Sequence, residues 1–143
     1  MGRRTKAREC AFQMIYQWGS HEGEAMGSVA EAFWQVRTTT PETRVMAERL
    51  ARGAQQRVKA IDSAIAAAAT NWRLERIAAV DLSIMRIAAY ELLAEPETPS
   101  AVIIDEAVEM ARRFGEADSP AFVNGVLDSV MRTVRNTKEA KSV

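Results

Sequence analysis

A stretch from about Asp81 to Ala94 carries Leu82, Ile84, Met85, Ile87, Leu92 and Leu93, which at about 100° per residue leaves it apolar on nearly every side. A helix of that kind cannot lie at a surface. The rest of the chain has to wrap it, which requires several further helices with one apolar face each.

Those helices are legible on both sides of it. Ala7, Ala11, Met14, Ile15 and Trp18 follow one helix face, and Gly19 to Gly27, rich in Gly, Ser and acidic residues, reads as the first connection. A second helix carries Val29, Ala32, Phe33 and Val36. Thr40 and Pro41 form a cap-then-proline start, and the helix they open is expected to be long, past Leu50 and Val58 toward Ile65 and the alanines at 66–69. Asn71-Trp72 marks a break, and Glu95-Pro96-Glu97-Thr98-Pro99 a turn. Ala101 to Phe114 is amphipathic and stopped by Gly115 as a C′ residue. Ser119-Pro120 repeats the cap-then-proline start, and the last helix aligns Val123, Val126, Leu127, Val130 and Val134. The segment after Asn136 is polar and reads as a frayed tail. No strand pattern or repeat stands out. The expected fold is all-α: one domain over 1–143, about seven helices, arranged as two packed bundles that share the central helix.

Composition removes several function classes. The 143 residues carry zero net charge and 27% charged side chains, enough length for a core and neither a disordered nor a membrane composition. No apolar run approaches the roughly 18 residues of a membrane span, and the front lacks the apolar core of a secretion signal. One Cys10 and one His21 support neither an internal disulfide nor a zinc site. The chain therefore reads as cytoplasmic, without metal or cofactor. Catalysis has little to build on. His21 lies in the Gly/Glu-rich connection with no nucleophile beside it, Cys10 has no nearby His, and the seven glycines are scattered. Glu106 and Glu109, one turn apart, read as solvated. Gly125, after Asn124 in a helical pattern, reads as room for another helix. No enzyme is expected.

Binding residues are more visible. Arg3, Arg4, Lys6 and Arg8 place four positive charges and no negative ones within six residues of a neutral chain. Such a cluster suits a phosphate backbone, with a solvated tail as the plain alternative. Tyr16 falls opposite the apolar face of the first helix and Phe12 to its side, so each is either a second packing layer or a partner surface. Phe122 stands in the first turn of the last helix, a quarter-turn off its apolar stripe. There it can stack on an unpaired base beside free N–H groups, or merely seal the turn after Phe114. Asp118 and Asp81 read locally as turn or cap residues. Arg86, Glu91 and Glu106 lie in apolar helices and are expected to pair with one another.

Several ordered blocks resemble the bacterial antitermination family NusB. They are Arg4-Thr5-Lys6-Ala7-Arg8-Glu9-Cys10-Ala11 with Ile15-Tyr16-Gln17-Trp18, Asn71-Trp72, Val80-Asp81, Ile84-Met85-Arg86-Ile87-Ala88-Ala89-Tyr90-Glu91-Leu92, Thr98-Pro99, Asp105-Glu106-Ala107-Val108-Glu109, Arg113-Phe114-Gly115 and Phe122-Val123-Asn124-Gly125-Val126-Leu127-Asp128. The resemblance implies two helical subdomains and a partner, the small-subunit ribosomal protein that doubles as NusE. It also implies binding of the single-stranded boxA element of ribosomal RNA leaders, within a complex with NusA, NusG and RNA polymerase. By the same resemblance Arg4, Lys6 and Arg8, with Arg3 adjacent, would contact RNA, and Phe114, Asp118 and Phe122 would line that surface. Tyr16 and Asp81 would face the ribosomal protein, which displaces the local readings of Asp118 and Asp81. Three positions depart from the family pattern: Thr5 where Arg is frequent, Asp81 where Glu is expected, and Asp105 where Asn is usual.

Other readings remain. The same helical fold precedes a methyltransferase domain in ribosomal-RNA cytosine methyltransferases, but no glycine-rich cofactor loop or paired catalytic cysteines occur here. A self-associating helical module, with a homodimer covering the RNA surface, is a second. A duplex-DNA reader would need a helix-turn-helix with a basic second helix, which the sequence lacks.

Overall fold

In the computed structural model, which describes residues 2–20 and 24–136, the central helix runs from Ala79 to Ala94 and buries Ile84, Met85, Ile87, Ala88, Ala89 and Leu92. In chain order the α-helices are α1 (Arg3–Ser20), α2 (Met26–Gln35), α3 (Pro41–Gln56), α4 (Val58–Ala68), α5 (Ala79–Ala94), α6 (Ser100–Phe114) and α7 (Ser119–Met131). A 3₁₀ turn at Leu74–Arg76 precedes α5, and a π turn at Arg132–Asn136 follows α7. Among the described residues there is no strand, and no helix is long and apolar enough to cross a membrane. His21 and the polar tail beyond Asn136 lie outside the described residues.

The expected two-bundle arrangement is present. Helices α1, α2 and α3 pack on one another, α4, α6 and α7 form the second group, and α5 touches both. Thr40 caps α3 as expected, its hydroxyl accepting the Thr43 N–H at 3.2 Å, with Pro41 in the first turn. At the far end of α5, Arg135 reaches back from the π turn. Its guanidinium donates to the carbonyls of Glu91, Leu92, Glu95 and Thr98 at 3.1, 3.0, 2.8 and 2.6 Å. The Glu91 and Glu95 carbonyls also accept the backbone N–H groups of Glu95 and Thr98, so Arg135 supplies them a second donor and ties the end of α5 to the following turn.

The structure corrects or decides the sequence reading at several helices and side chains. The long helix from Pro41 is two helices, because the chain leaves α-geometry at Arg57 (φ −110°, ψ 19°). In α2 the buried face is Met26, Val29, Ala30, Phe33 and Trp34, while Ala32 and Val36 are exposed, Val36 lying past the helix end. Gly115 does not adopt a left-handed conformation (φ −98°, ψ −165°). A Cβ there would lie 2.6 Å from the Ser119 hydroxyl and 2.9 Å from the Ala111 carbonyl, so the glycine serves a tight corner. Gly125 has open space around it; the close helix approach is made at Gly53, where a Cβ would fall 2.2 Å from Cζ of Tyr90. Arg86 pairs with Asp62 on α4, at 2.9 and 2.8 Å, and Glu91 pairs with Arg8. Arg86 and Glu91 stand five residues apart on α5 and so face different neighbours. Phe12 proves to be core: it is 3% exposed, with its ring 5.2 Å from that of Phe114.

Candidate nucleic-acid interface

The first turn of α1 contains no acidic residue, and Arg3 and Arg4 are exposed there, with Lys6 half-buried. Cations at a helix N-terminus oppose the macrodipole, so local stability does not account for them. Arg8 behaves differently. It is 2% exposed, and its Nε and Nη2 donate to the two carboxylate oxygens of Glu91 at 2.8 and 2.9 Å, with Nη1 3.6 Å from Glu106. Burial works against the guanidinium charge, but the Glu91 and Glu106 carboxylates more than reverse it, and the pKa of Arg8 moves up. Arg8 is therefore a core ion pair and not part of the exposed basic front. Thr5 also turns inward, its hydroxyl donating to Glu106 at 2.6 Å.

Side chains bridge α1 and α6 in step: Thr5 to Glu106, Glu9 to Arg113 at 3.3 Å, then Phe12 to Phe114. The two helices thus run in the same direction, and the exposed cations lie about 12 Å along the axis from the Phe12–Phe114 contact.

At that end of the molecule the α6–α7 corner meets the start of α5. Ser119, 1% exposed, accepts the Glu116 N–H at 2.9 Å and donates to Asp81 Oδ2 at 3.0 Å. The hydroxyl expected to cap α7 thus ties the corner to α5. Asp81 is 7% exposed, and its Oδ1 has no hydrogen-bond partner among the described residues. Burial raises its pKa; the Ser119 hydrogen bond pulls it down, and the nearby charges of Asp118 and Glu116 push it further up.

Two cavities flank this Asp81–Ser119 link. One, of about 200 Å³, is lined by Tyr16, Val80, Phe114 and Gly115 together with Asp81 and Ser119. The other, of about 160 Å³, is lined by Trp72, Arg76, Asp118 and Phe122, again with Asp81 and Ser119. The structure thus brings Asp118 to Phe122, and Tyr16 to Asp81 and Phe114. It leaves Arg3, Arg4 and Lys6 apart from both groups, at the start of α1. Phe114 is half-buried between Phe12 and Arg113, whose guanidinium carbon lies 4.8 Å from the ring centre. Trp72, exposed and edge-on to Phe122 at 6.1 Å, is marked in the sequence as a break and as part of the family resemblance, with no site role attached. Its signal was the exposed-turn context itself, where a Trp has no core to fill. Among the described residues no group of His, Cys, Asp and Glu is arranged to hold a metal ion.

Residues 5–132 match the model of the NusB family. The transcription antitermination protein NusB of Sorangium cellulosum is 45% identical over 130 residues, covering 91% of this chain and 92% of its own length. That of Geobacter sulfurreducens is 42% identical over 134 residues, covering 94% and 97%. Among solved structures, T. maritima NusB superposes with a TM-score of 0.84 at 29% identity, covering 98% of each chain. The antitermination factors NusB and NusE in complex with dsRNA supply a chain with the same fold, at a TM-score of 0.82 and 22% identity over 93% of this chain and 98% of that one. Conserved length, helical fold and sequence agree, and the chain belongs to the NusB family.

Proposed function

We propose that this chain is a transcription antitermination factor, a non-enzymatic RNA-binding adaptor. It would recognise the single-stranded boxA element of ribosomal RNA leaders together with the ribosomal protein NusE, and join NusA, NusG and RNA polymerase. The observation that carries the reading is the acid-free basic front of α1, with Arg3 and Arg4 exposed, on a helix whose side chains bridge to α6, the helix that leads into the Asp118–Phe122 corner. Arg3, Arg4 and Lys6 pair with phosphates, which positions the strand without reading it. Phe122 and Asp118 meet an unpaired base, with Phe114 supporting the same end.

Tyr16 and Asp81 form the partner side. Because Asp81 is buried, a partner cannot meet it at a flat surface; it would insert a donor through the cavity that Asp81 lines with Tyr16, and Oδ1 is the acceptor that lacks a partner among the described residues. Filling that acceptor also relieves the cost of burying it. The antitermination role of the curated relatives supports the adaptor reading, and a chain of the same fold is known in complex with NusE and dsRNA. Size-exclusion chromatography of the chain with NusE and boxA RNA tests it. Co-elution of all three is expected, and separate elution of the chain overturns the reading.

A further inference from the structure

Trp72 is the most exposed aromatic side chain among the described residues, at 55%, and it follows a turn closed by its own N–H to the Ala69 carbonyl at 3.0 Å. The Phe122 ring and Trp72 meet edge-to-face, at 75° between planes, so the edge of one ring rests on a single face of the other and this contact leaves the opposite face uncovered. The cavity they share, about 160 Å³, is close to the roughly 150 Å³ known to accept one six-membered aromatic ring.

Its polar groups narrow the occupant. Asp118 and Glu116 line the cavity and Asp81 lies buried beside it, so three carboxylates offer acceptors and repel a phosphate. Arg76 is the one cation in the lining, and it is exposed. A flat, uncharged ring bearing an amino group, with a phosphate just outside, fits this set. Uracil, which has no amino group, fits it less well.

We infer that Trp72 and Phe122 hold one unpaired amino-bearing base of a single-stranded RNA, stacked on Trp72, with its amine donating to Asp118 and its phosphate beside Arg76. This rests on the RNA-binding reading above and adds to it Trp72, which holds the base by stacking, and Arg76, which positions its phosphate, leaving Asp118 to select the amine. Stacking of this kind requires a free base face, so a duplex would not satisfy it.

The test is titration of the intact chain with length-matched oligo(C) and oligo(U) RNA, read by tryptophan fluorescence and by affinity. Oligo(C) is expected to quench the fluorescence and to bind more tightly than oligo(U). Trp72→Ala should abolish most of the quenching and weaken oligo(C) about tenfold. Trp72→Phe should restore most of that affinity, and Asp118→Ala should remove the preference for C over U. If Trp72→Ala binds oligo(C) like the unaltered chain while Arg4→Ala weakens it, the base pocket is overturned and the adaptor reading stands. If neither oligonucleotide binds at low salt while boxA RNA binds with NusE present, the base pocket is overturned and the adaptor reading stands; if boxA RNA with NusE fails as well, both are overturned. If NusE without RNA produces the same quenching, the pocket belongs to a protein partner and the inference fails.

Discussion

Arg8 lays its Nε and Nη2 on both carboxylate oxygens of Glu91, at 2.8 and 2.9 Å, and each side chain is 2% exposed. The pair joins the start of α1 to the central helix across 83 positions of sequence. It divides the basic front into cations that face solvent and one that holds the fold. Removing one partner of such a pair leaves the other charge buried, so Arg8→Ala should cost about 3–5 kcal/mol of stability, measured by urea unfolding. Replacing both together, as Arg8→Met with Glu91→Leu, should be close to neutral. Arg4→Ala should change stability by less than about 0.5 kcal/mol while lowering affinity for every RNA.

Phe122→Ala should act on selectivity instead. Loss of a stacked base contact should erode the preference for boxA over a scrambled strand, in competition binding, more than it weakens binding overall. An equal loss on both strands would argue against base readout at Phe122.

Asp81 makes stability depend on pH. Its folded pKa is raised, chiefly by burial, above that of the unfolded chain, so folding favours the protonated acid. Its contribution is therefore fully present below the ordinary aspartate range and is lost as pH rises through the raised value. Asp118 and Glu116 act in the same direction, and the Ser119 hydrogen bond opposes them. Urea unfolding across that range should show the fall for the unaltered chain and a smaller one for Asp81→Asn.

Gly53 marks where α3 meets α5. A methyl group there would overlap the Tyr90 ring, so Gly53→Ala should cost about 1–3 kcal/mol in thermal or urea unfolding. In a Tyr90→Ala background the same change should cost much less, because the atoms it strikes are gone.

The fold was legible because one segment, 81–94, is apolar all round and the others each show one apolar face. What escaped is what periodicity cannot carry. The buried phase Ala47, Leu50, Ala51, Ala54, Ile61, Ile65 runs on across Arg57, so the break between α3 and α4 leaves no trace in it. Partners of buried charges were also invisible: Arg8 and Glu91 are each plausible surface residues until the helices are brought together. Gly53 and Gly125 look alike in sequence, and only the approach of Tyr90 separates them. Of the candidate site, Tyr16 and Phe122 stand out by lying off their helix faces, Asp118 and Asp81 enter only through the resemblance, and the exposure of Trp72 beside Phe122 and the burial of Arg8 required the structure.

With Arg8 held by Glu91, three cations remain at the front, Arg3, Arg4 and Lys6, and single-strand binding through them should follow salt with a log–log slope of about −2. The most direct test of the adaptor account is the affinity of boxA RNA and of a scrambled control, with and without NusE, across a salt series. The account predicts tighter, boxA-selective binding when NusE is present, with that salt slope. Weak binding that ignores sequence, partner and salt would contradict it.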